Sequence, residues 1–400
     1  MFVAAAWTRR ALSSGGFSSG LFGLSSEQIQ LVDSCLDFAQ HEFKPYAAEW
    51  DENKIFPRSA LRKAAELGLG GMFVPEELGG AGFSRHDGSL VFESLSQGCT
   101  STTAYLSIHN MCAWMISQFA TNEAKHEYLP KLISMDHFAS YCLTEPSSGS
   151  DAASLKTTAV KQPDGSFVVN GSKAFISGGG AAQVYVVMVR TDVADKSPKG
   201  ISCVLVDSES NGVSFGAQER KLGWNSQPTC VVNFDNVSVR PSNLVGNLGQ
   251  GFKIAMQGLD GGRLSIGACS LGAAQASLNV ALDHVQHRHQ FGQPLCANQT
   301  IQFKLADMQT KLHLARMAIR NAAKLLDDKH PAATAHCSMA KKVATEFGYE
   351  VVDDSLQLLG GYGYLKDHPV ERYLRDARVH RILEGTNEIQ SLIMARDILK

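Results

Sequence analysis

The chain has 400 residues, 44% of them hydrophobic, enough to bury a large core in two or three domains or one large assembly. A formal net charge of −2 with no basic block argues against nucleic acid as a partner, and the apolar run of roughly 18 residues that a membrane span needs is absent. The nine cysteines are scattered, odd in number and free of any C-x-x-C pair, which suits a reducing compartment and argues against a disulfide framework or a structural zinc site.

Residues 1–24 read as a mitochondrial transit peptide, because Arg9 and Arg10 stand among Ser and Ala and no acid precedes Glu27. Gly16, Ser18 and Gly20 match the G-x-S-x-G elbow of hydrolases, but the match follows no strand and falls in the leader, so it reads as chance. Over 25–134 the signals are helical. One helix begins at Ser26 and carries Ile29, Val32, Leu36 and Phe38, and another starts at Pro57 with Leu61, Ala64, Ala65 and Leu67. Gly79, Gly80 and Gly82 then form a loop, and helical patterns continue near 87–97, 102–119 and 122–134.

Between 135 and 241 the apolar period drops to two. Segments 167–170, 183–190, 201–206 and 230–234 read as strands separated by Gly, Asn, Asp and Pro, and nothing there alternates as βαβ. From 242 to 400 the chain is helical again, over about 251–289, 299–328, 331–358 and 388–399, with short loops that predict antiparallel neighbours. The fold class is therefore α+β: an N-terminal α domain, a middle antiparallel β domain and a C-terminal four-helix bundle.

No G-x-G-x-x-G or P-loop occurs, so any nucleotide must be held in another way. The loop at 141–151, with Thr144, Ser147, Ser148 and Ser150, offers hydroxyls and turn amides to a polar heterocycle or phosphate, although by itself it is an ordinary Ser/Gly turn. Phe175 and Ser177 are two apart and share a strand face, a pattern that alone means core packing. His284, His287 and His289 have no carboxylate or cysteine at ligand spacing and read as a solvated face, so no metal is expected. Asp260 and Arg263 flank Gly261 and Gly262 as a charged helix cap would.

Glu384 stands before Gly385 at a helix entrance, where Thr386 or Asn387 can cap and Gln390, three residues after Asn387, suits a capping box. Alone it is a solvated loop acid. Ile382 and Leu383 before it, and Ile389, Leu392, Ile393, Ile398 and Leu399 after it, suggest instead a carboxylate delivered to an apolar cavity, its pKa raised towards the working pH.

These motifs, with 288–295 and 357–364, stand in the order found in acyl-CoA dehydrogenases, flavoproteins of α, β, α architecture, which the chain resembles from about residue 25 to its C-terminus. The resemblance implies that Leu143, Thr144 and Ser177, beside Tyr141, Cys142 and Ile176, hold the FAD ring, with Phe175 over its face where many members carry Trp. Ser150 would serve a phosphate or the CoA arm. Arg288, Asn298 and Gln299, with Gln357, Leu358, Leu359, Gly360 and Gly361 of a neighbouring subunit, would take the pyrophosphate and adenosine, and Thr386, Asn387 and Glu388 would complete the site. Asp260, Gly261, Gly262, Arg263, Gly385 and Arg396 fall to the acyl-CoA substrate. Ser147 departs from the family's usual Gly and leaves the loop conformation there open.

The implied activity is removal of the α-proton of an acyl thioester by Glu384 as the β-hydrogen leaves as hydride to FAD, with electron transfer flavoprotein as acceptor, in a homotetramer of the mitochondrial matrix. Segments 100–116, 138–155 and 223–229 resemble members that act on isobutyryl-CoA in valine breakdown. A short straight-chain or 2-methylbutyryl thioester on the same scaffold is the alternative substrate, and a flavin-binding assembly factor without turnover the alternative class. Tyr105, Leu106, Ile108, Met111 and Trp114 are the candidates for closing the pocket floor.

Overall fold

Ser25 and Gln28 cap each other at the start of α1 (Ser26–Phe38): the Gln28 N–H donates to the Ser25 hydroxyl at 3.3 Å, and the Ser25 N–H donates to the Gln28 side chain at 3.1 Å. The computed structural model describes residues 20–400; most of the expected leader and of the G-x-S-x-G match lies outside the described residues. Five more helices follow: α2 (Ala47–Asn53), α3 (Arg58–Glu66), α4 (Arg85–Ser96), α5 (Thr100–Phe119) and α6 (Asn122–Ile133). Ser84 caps α4 and Thr121 caps α6 through their hydroxyls. The short helix α2 was not expected, since its seven residues are too few for a readable period.

Helix α5 is buried along most of its length, so its polar side chains must find partners inside the protein. His109 accepts from the Ala139 N–H at Nδ1 (3.1 Å), which leaves Nε2–H to donate to the Leu132 carbonyl (2.9 Å). Burial pushes its pKa down to about 4, so it stays neutral and ties α5 to the first strand.

Among the described residues one eight-stranded sheet forms from β1 (Ala139–Cys142), β2 (Thr158–Lys161), β3 (Phe167–Ser177), β4 (Val184–Arg190), β5 (Ile201–Asp207), β6 (Val213–Phe215), β7 (Thr229–Val239) and β8 (Leu244–Val245), in the order β6-β7-β3-β2-β4-β5-β8 with β1 also on β4. Pairing is antiparallel as expected, except that β1 runs parallel to β4 and β2 meets β4 in parallel at Thr158 and Arg190. The crossing that allows this is hidden in sequence because β4 is buried at all seven positions and shows no alternation.

The C-terminal helices are α7 (Gly251–His287), α8 (Gln299–Asp327), α9 (Ala333–Leu359), α10 (Val370–Arg378) and α11 (Asn387–Ile398), with a small hairpin, β9 (His289–Gln290) and β10 (Gln293–Pro294), between α7 and α8. Helix α9 packs against α7, α8 and α11, which completes the expected four-helix bundle. Helix α10 is an addition: its sequence is largely charged, and its core face includes Val370, Tyr373 and Ala377. Arg375 fastens it to α2 through Asp51 at 2.6 Å. Among the described residues no helix is long and apolar enough to cross a membrane. All nine cysteines are free thiols and, Cys296 apart, buried.

Candidate active site

A cavity of about 800 Å³ opens where α5, the loop after β1, β3, α7 and the turn before α11 meet. That is within the range of small-molecule sites, ~300–1,000 Å³. Much of the wall is apolar, including Phe252, Met256, Leu259, Ile266, Leu383 and Ile389. Among the residues expected for a site, Tyr141, Leu143, Thr144, Ser150, Phe175, Ile176 and Ser177 from the β domain line it together with Arg263, Glu384, Gly385 and Arg396 from the C-terminal helices and turn.

The loop after β1 is held from below by a buried ion pair. Glu145 accepts from the N–H groups of Lys156 (2.6 Å) and Thr157 (2.9 Å) and from Lys173 Nζ (2.8 Å), and Lys173 also donates to the Leu143 carbonyl at 3.1 Å. Burial raises the Glu145 carboxyl, but the Lys173 charge and the N–H donors more than reverse this and leave its pKa below the usual value. The Tyr141 hydroxyl is buried without a hydrogen-bond partner. Cys142 is fully buried in the core, so only its backbone can serve a ligand.

On β3 the register slips by one residue between Lys173, opposite Val232, and Ile176, opposite Cys230. This bulge lets the Ala174 N–H donate to the Thr144 carbonyl at 2.9 Å and turns Phe175 to a left-handed φ of 57°, its side chain largely exposed at the cavity edge.

The third wall carries Glu384 at φ 56° followed by Gly385 at φ 84°. A left-handed non-glycine residue costs ~1–2 kcal/mol, and side chains hold this one in place. Gln390 Nε2 donates to the carbonyls of Glu384 (3.0 Å) and Gly385 (2.8 Å), Lys341 Nζ donates to Gly385 at 2.8 Å, and Arg263 Nε reaches Glu384 at 3.5 Å. Thr386 is the cap, accepting from the Ile389 N–H. The capping box from Asn387 to Gln390 does not form, because Gln390 serves the turn carbonyls and buried Asn387 bonds Lys341 and Thr345. None of Thr386, Asn387 and Glu388 lines the cavity.

Burial pushes the Glu384 carboxyl up to about 7, against the pull of Arg263 and Lys341, and its Oε2 has no hydrogen-bond partner. Gly262 makes room for it: a Cβ there would stand 2.5 Å from Oε2. Gly261 similarly leaves space for the Arg85 guanidinium, and Asp260 orients Arg263 at 2.6 Å while accepting from Thr334 at 2.7 Å. These three therefore support the wall from behind. On the floor, Ser107, Ile108 and Met111 present one face of α5. Of the five candidates for the floor, Ile108 and Met111 are thus the ones that reach it, while Tyr105 donates to the Ala139 carbonyl, Leu106 joins the core, and Trp114 lies under Arg85 at 4.7 Å.

A second group lies apart from the cavity. Arg288 stacks on Tyr362 at 5.9 Å, Asn298 caps α8, and Gln299 begins that helix. Gln357, Gly360 and Gly361 are exposed at the end of α9, whereas the side chains of Leu358 and Leu359 are in the core and leave only backbone for a ligand.

Sequence reasoning missed Lys173, Lys341 and Trp224 as site residues. Trp224 lines the cavity at a left-handed φ of 58°; its Nε1–H donates to His380 Nε2 at 3.2 Å, so His380 Nδ1–H donates to Ser270 at 2.7 Å. The readable signal for Lys341 was its place among Cys337, Ala340 and Ala344, a lysine on an otherwise core-facing stripe.

Family models described as the N-terminal, middle and C-terminal domains of acyl-CoA dehydrogenase match residues 25–136, 140–237 and 249–399. The mitochondrial isobutyryl-CoA dehydrogenase of Dictyostelium discoideum is 56% identical and that of Bos taurus 52%, each alignment covering 94% of this chain and 90% of the relative. The solved structure of butyryl-CoA dehydrogenase from Megasphaera elsdenii superposes with a TM-score of 0.91 at 35% identity, over 95% of this chain and all of that one (100%). With this order of domains around a half-buried glutamate whose Oε2 has no partner, the chain belongs to the acyl-CoA dehydrogenase family of FAD-dependent oxidoreductases.

Proposed function

We propose that the protein oxidises isobutyryl-CoA to methacrylyl-CoA, with Glu384 as the base. The observation that carries this reading is the Glu384 carboxyl itself, half-buried, its Oε2 buried without a partner and its pKa raised to about 7 in a mostly apolar cavity, which suits a base that must be ionised yet reactive near neutral pH.

Two orphaned polar groups in one cavity, the Tyr141 hydroxyl and Glu384 Oε2, fit a ligand that brings its own polar atoms. Leu143, Thr144, Ile176 and Ser177 would hold the FAD ring beneath Phe175, and Ser150, Arg263 and Arg396, which also line the cavity, would serve the CoA-bearing substrate. When bound, FAD supplies the two-electron acceptor for the hydrogen lost from Cβ. Glu384 takes the proton from Cα, and the electron pair of that C–H bond becomes the new Cα=Cβ bond. The left-handed turn fixes where the carboxylate stands, and the apolar walls exclude water from it. Ile108 and Met111 close the floor, which favours a short branched acyl group.

The exposed group of Arg288, Asn298, Gln299, Gln357, Gly360 and Gly361 would hold the adenosine side of FAD across a contact between copies, in a homotetramer. Exposed Phe303, Leu314 and Met317 on α8 support assembly. Relatives named as mitochondrial isobutyryl-CoA dehydrogenases support a mitochondrial enzyme, and the family resemblance adds the matrix, valine breakdown and electron transfer flavoprotein as acceptor.

The test is anaerobic titration of the FAD-loaded protein with isobutyryl-, butyryl- and octanoyl-CoA, followed by flavin bleaching. Isobutyryl-CoA should give the highest kcat/KM, although a methylene biases choice by only ~10–200-fold. A preference for octanoyl-CoA would overturn the substrate assignment, and no bleaching with any thioester would overturn the dehydrogenase reading.

A further inference from the structure

A buried ammonium needs a reason, because taking it out of water costs several kcal/mol and an apolar side chain of similar length would fill the same space. Lys341 has no accessible surface and sits on α9 among Cys337, Ala340 and Ala344. Its Nζ donates to the Gly385 carbonyl at 2.8 Å and to Asn387 Oδ1 at 2.9 Å. The two acceptors lie on either side of Thr386, the cap of α11, so a single group straddles the point where the turn becomes helix. Asn387 is itself locked, its Nδ2 donating to Thr345 at 3.1 Å and to Glu346 at 3.3 Å, both on α9. The left-handed turn that presents Glu384 is thus clamped to α9 from behind.

We propose that Lys341 is a positioning residue for Glu384, fastening the turn through Gly385 and Asn387 and facing the carboxylate with a buried positive charge. This rests on Glu384 being the base. The titratable and charged groups that bear on Lys341 are Glu384 on the turn, Arg263 on α7, Glu388 on α11, Glu346 on its own helix and, ahead of the turn, the buried His380, which burial and the Lys341 charge hold neutral at a pKa of about 3. Burial lowers the Lys341 ammonium to about 8, with Glu384 the foremost group opposing the fall, so it remains mostly charged at neutral pH. Reciprocally, Lys341 and Arg263 both favour the ionised form of Glu384. Arg263 shares its charge with Asp260 at 2.6 Å, whereas Lys341 makes no ion pair within salt-bridge distance among the described residues. Lys341 is thus the second cation, after Arg263, that tempers the carboxyl, and the one that also holds its turn.

The experiment compares wild type with Lys341→Met, Lys341→Gln and Lys341→Arg, all FAD-loaded. Substrate-free infrared difference spectra across the neutral range follow the Glu384 carboxyl band, assigned by its loss in Glu384→Gln. Removing one nearby charge should raise the midpoint by about one unit or more in Lys341→Met, and the pH profile of kcat/KM should move with it. At neutral pH the ionised fraction, and with it the rate, should fall about fivefold for a one-unit shift. Lys341→Gln keeps a donor for the Gly385 carbonyl without charge and should show the same pH shift, which preserves the test if Lys341→Met fails to fold. Lys341→Arg should restore the wild-type midpoint. A folded Met or Gln variant with an unchanged carboxyl midpoint overturns the proposal. The infrared titration needs no substrate, so a shifted midpoint in a protein that no acyl-CoA bleaches would sink Glu384 as the base while leaving the coupling of Lys341 to its carboxyl intact, which tells the two failures apart.

Discussion

Gly262→Ala separates catalysis from stability with opposite signs. A Cβ at this position would lie 2.5 Å from Glu384 Oε2, 2.8 Å from its Cδ and 3.0 Å from Oε1. Ordinary carbon–oxygen contact needs about 3.3–3.6 Å, so the carboxylate must retreat by roughly 1 Å. It is the end of a flexible side chain and can do so without unfolding anything. Misplacement of a reacting group by about 1 Å costs ~10²-fold in rate, whereas replacing Gly by Ala inside helix α7 stabilises a helix by ~0.5–1 kcal/mol. The rate of anaerobic flavin bleaching at saturating isobutyryl-CoA should therefore fall about 100-fold, while the urea midpoint holds or rises. A variant that bleaches at the wild-type rate would show that the reacting carboxylate does not stand against Gly262. One that loses stability instead would show that the clash is relieved by the helices and not by the side chain.

Glu384→Gln should bind FAD and fold but lose ~10²–10⁴-fold in turnover; normal turnover removes Glu384 from the mechanism. Because the Glu384 pKa is raised from 4.5 to about 7 on burial, the folded state binds more protons than the unfolded between these values, so this group's contribution to stability falls as pH rises through that window. Activity should rise over the upper part of the same window as the base ionises, and above it Glu384→Gln should be more stable than wild type by up to roughly 3 kcal/mol, measured by denaturant titration. Lys173→Met strands the buried Glu145 carboxylate and should cost ~3–5 kcal/mol at neutral pH; a loss under about 1 kcal/mol would mean that the two N–H donors suffice. Arg288→Ala should lose both FAD and assembly, and a monodisperse, FAD-loaded monomer by light scattering would contradict the shared adenosine site.

Periodicity and caps made the α, β, α order legible because each is a local property. Ser25 with Gln28, the short apolar, β-branched runs along 167–170 and 201–206, and the long apolar stripes of the bundle can be read without knowing what they pack against. Helix α10 escaped because its buried face is narrow and its remaining residues are charged, and β2, β6 and β8 because two to four residues cannot establish a period. The parallel pairing of β1 with β4 was invisible for a different reason, since strand neighbours are chosen by the chain's path and not by either strand.

For the site, the sequence by itself marked Glu384 and Gly385 at a helix entrance and the hydroxyl loop at 141–151, because turn chemistry and residue type are written locally. The family motifs added which of these belong together. Only the tertiary structure decided the electrostatics: that Glu384 is stripped of partners, that Gly262 leaves it room, and that Lys341, some forty residues earlier, clamps its turn. It also decided that Ile108 and Met111 face the cavity while Tyr105, Leu106 and Trp114 turn away. A pKa and a contact each depend on what surrounds a group in space, and that surrounding is assembled from α5, α7, α9 and the final turn, segments the chain brings together only when it folds.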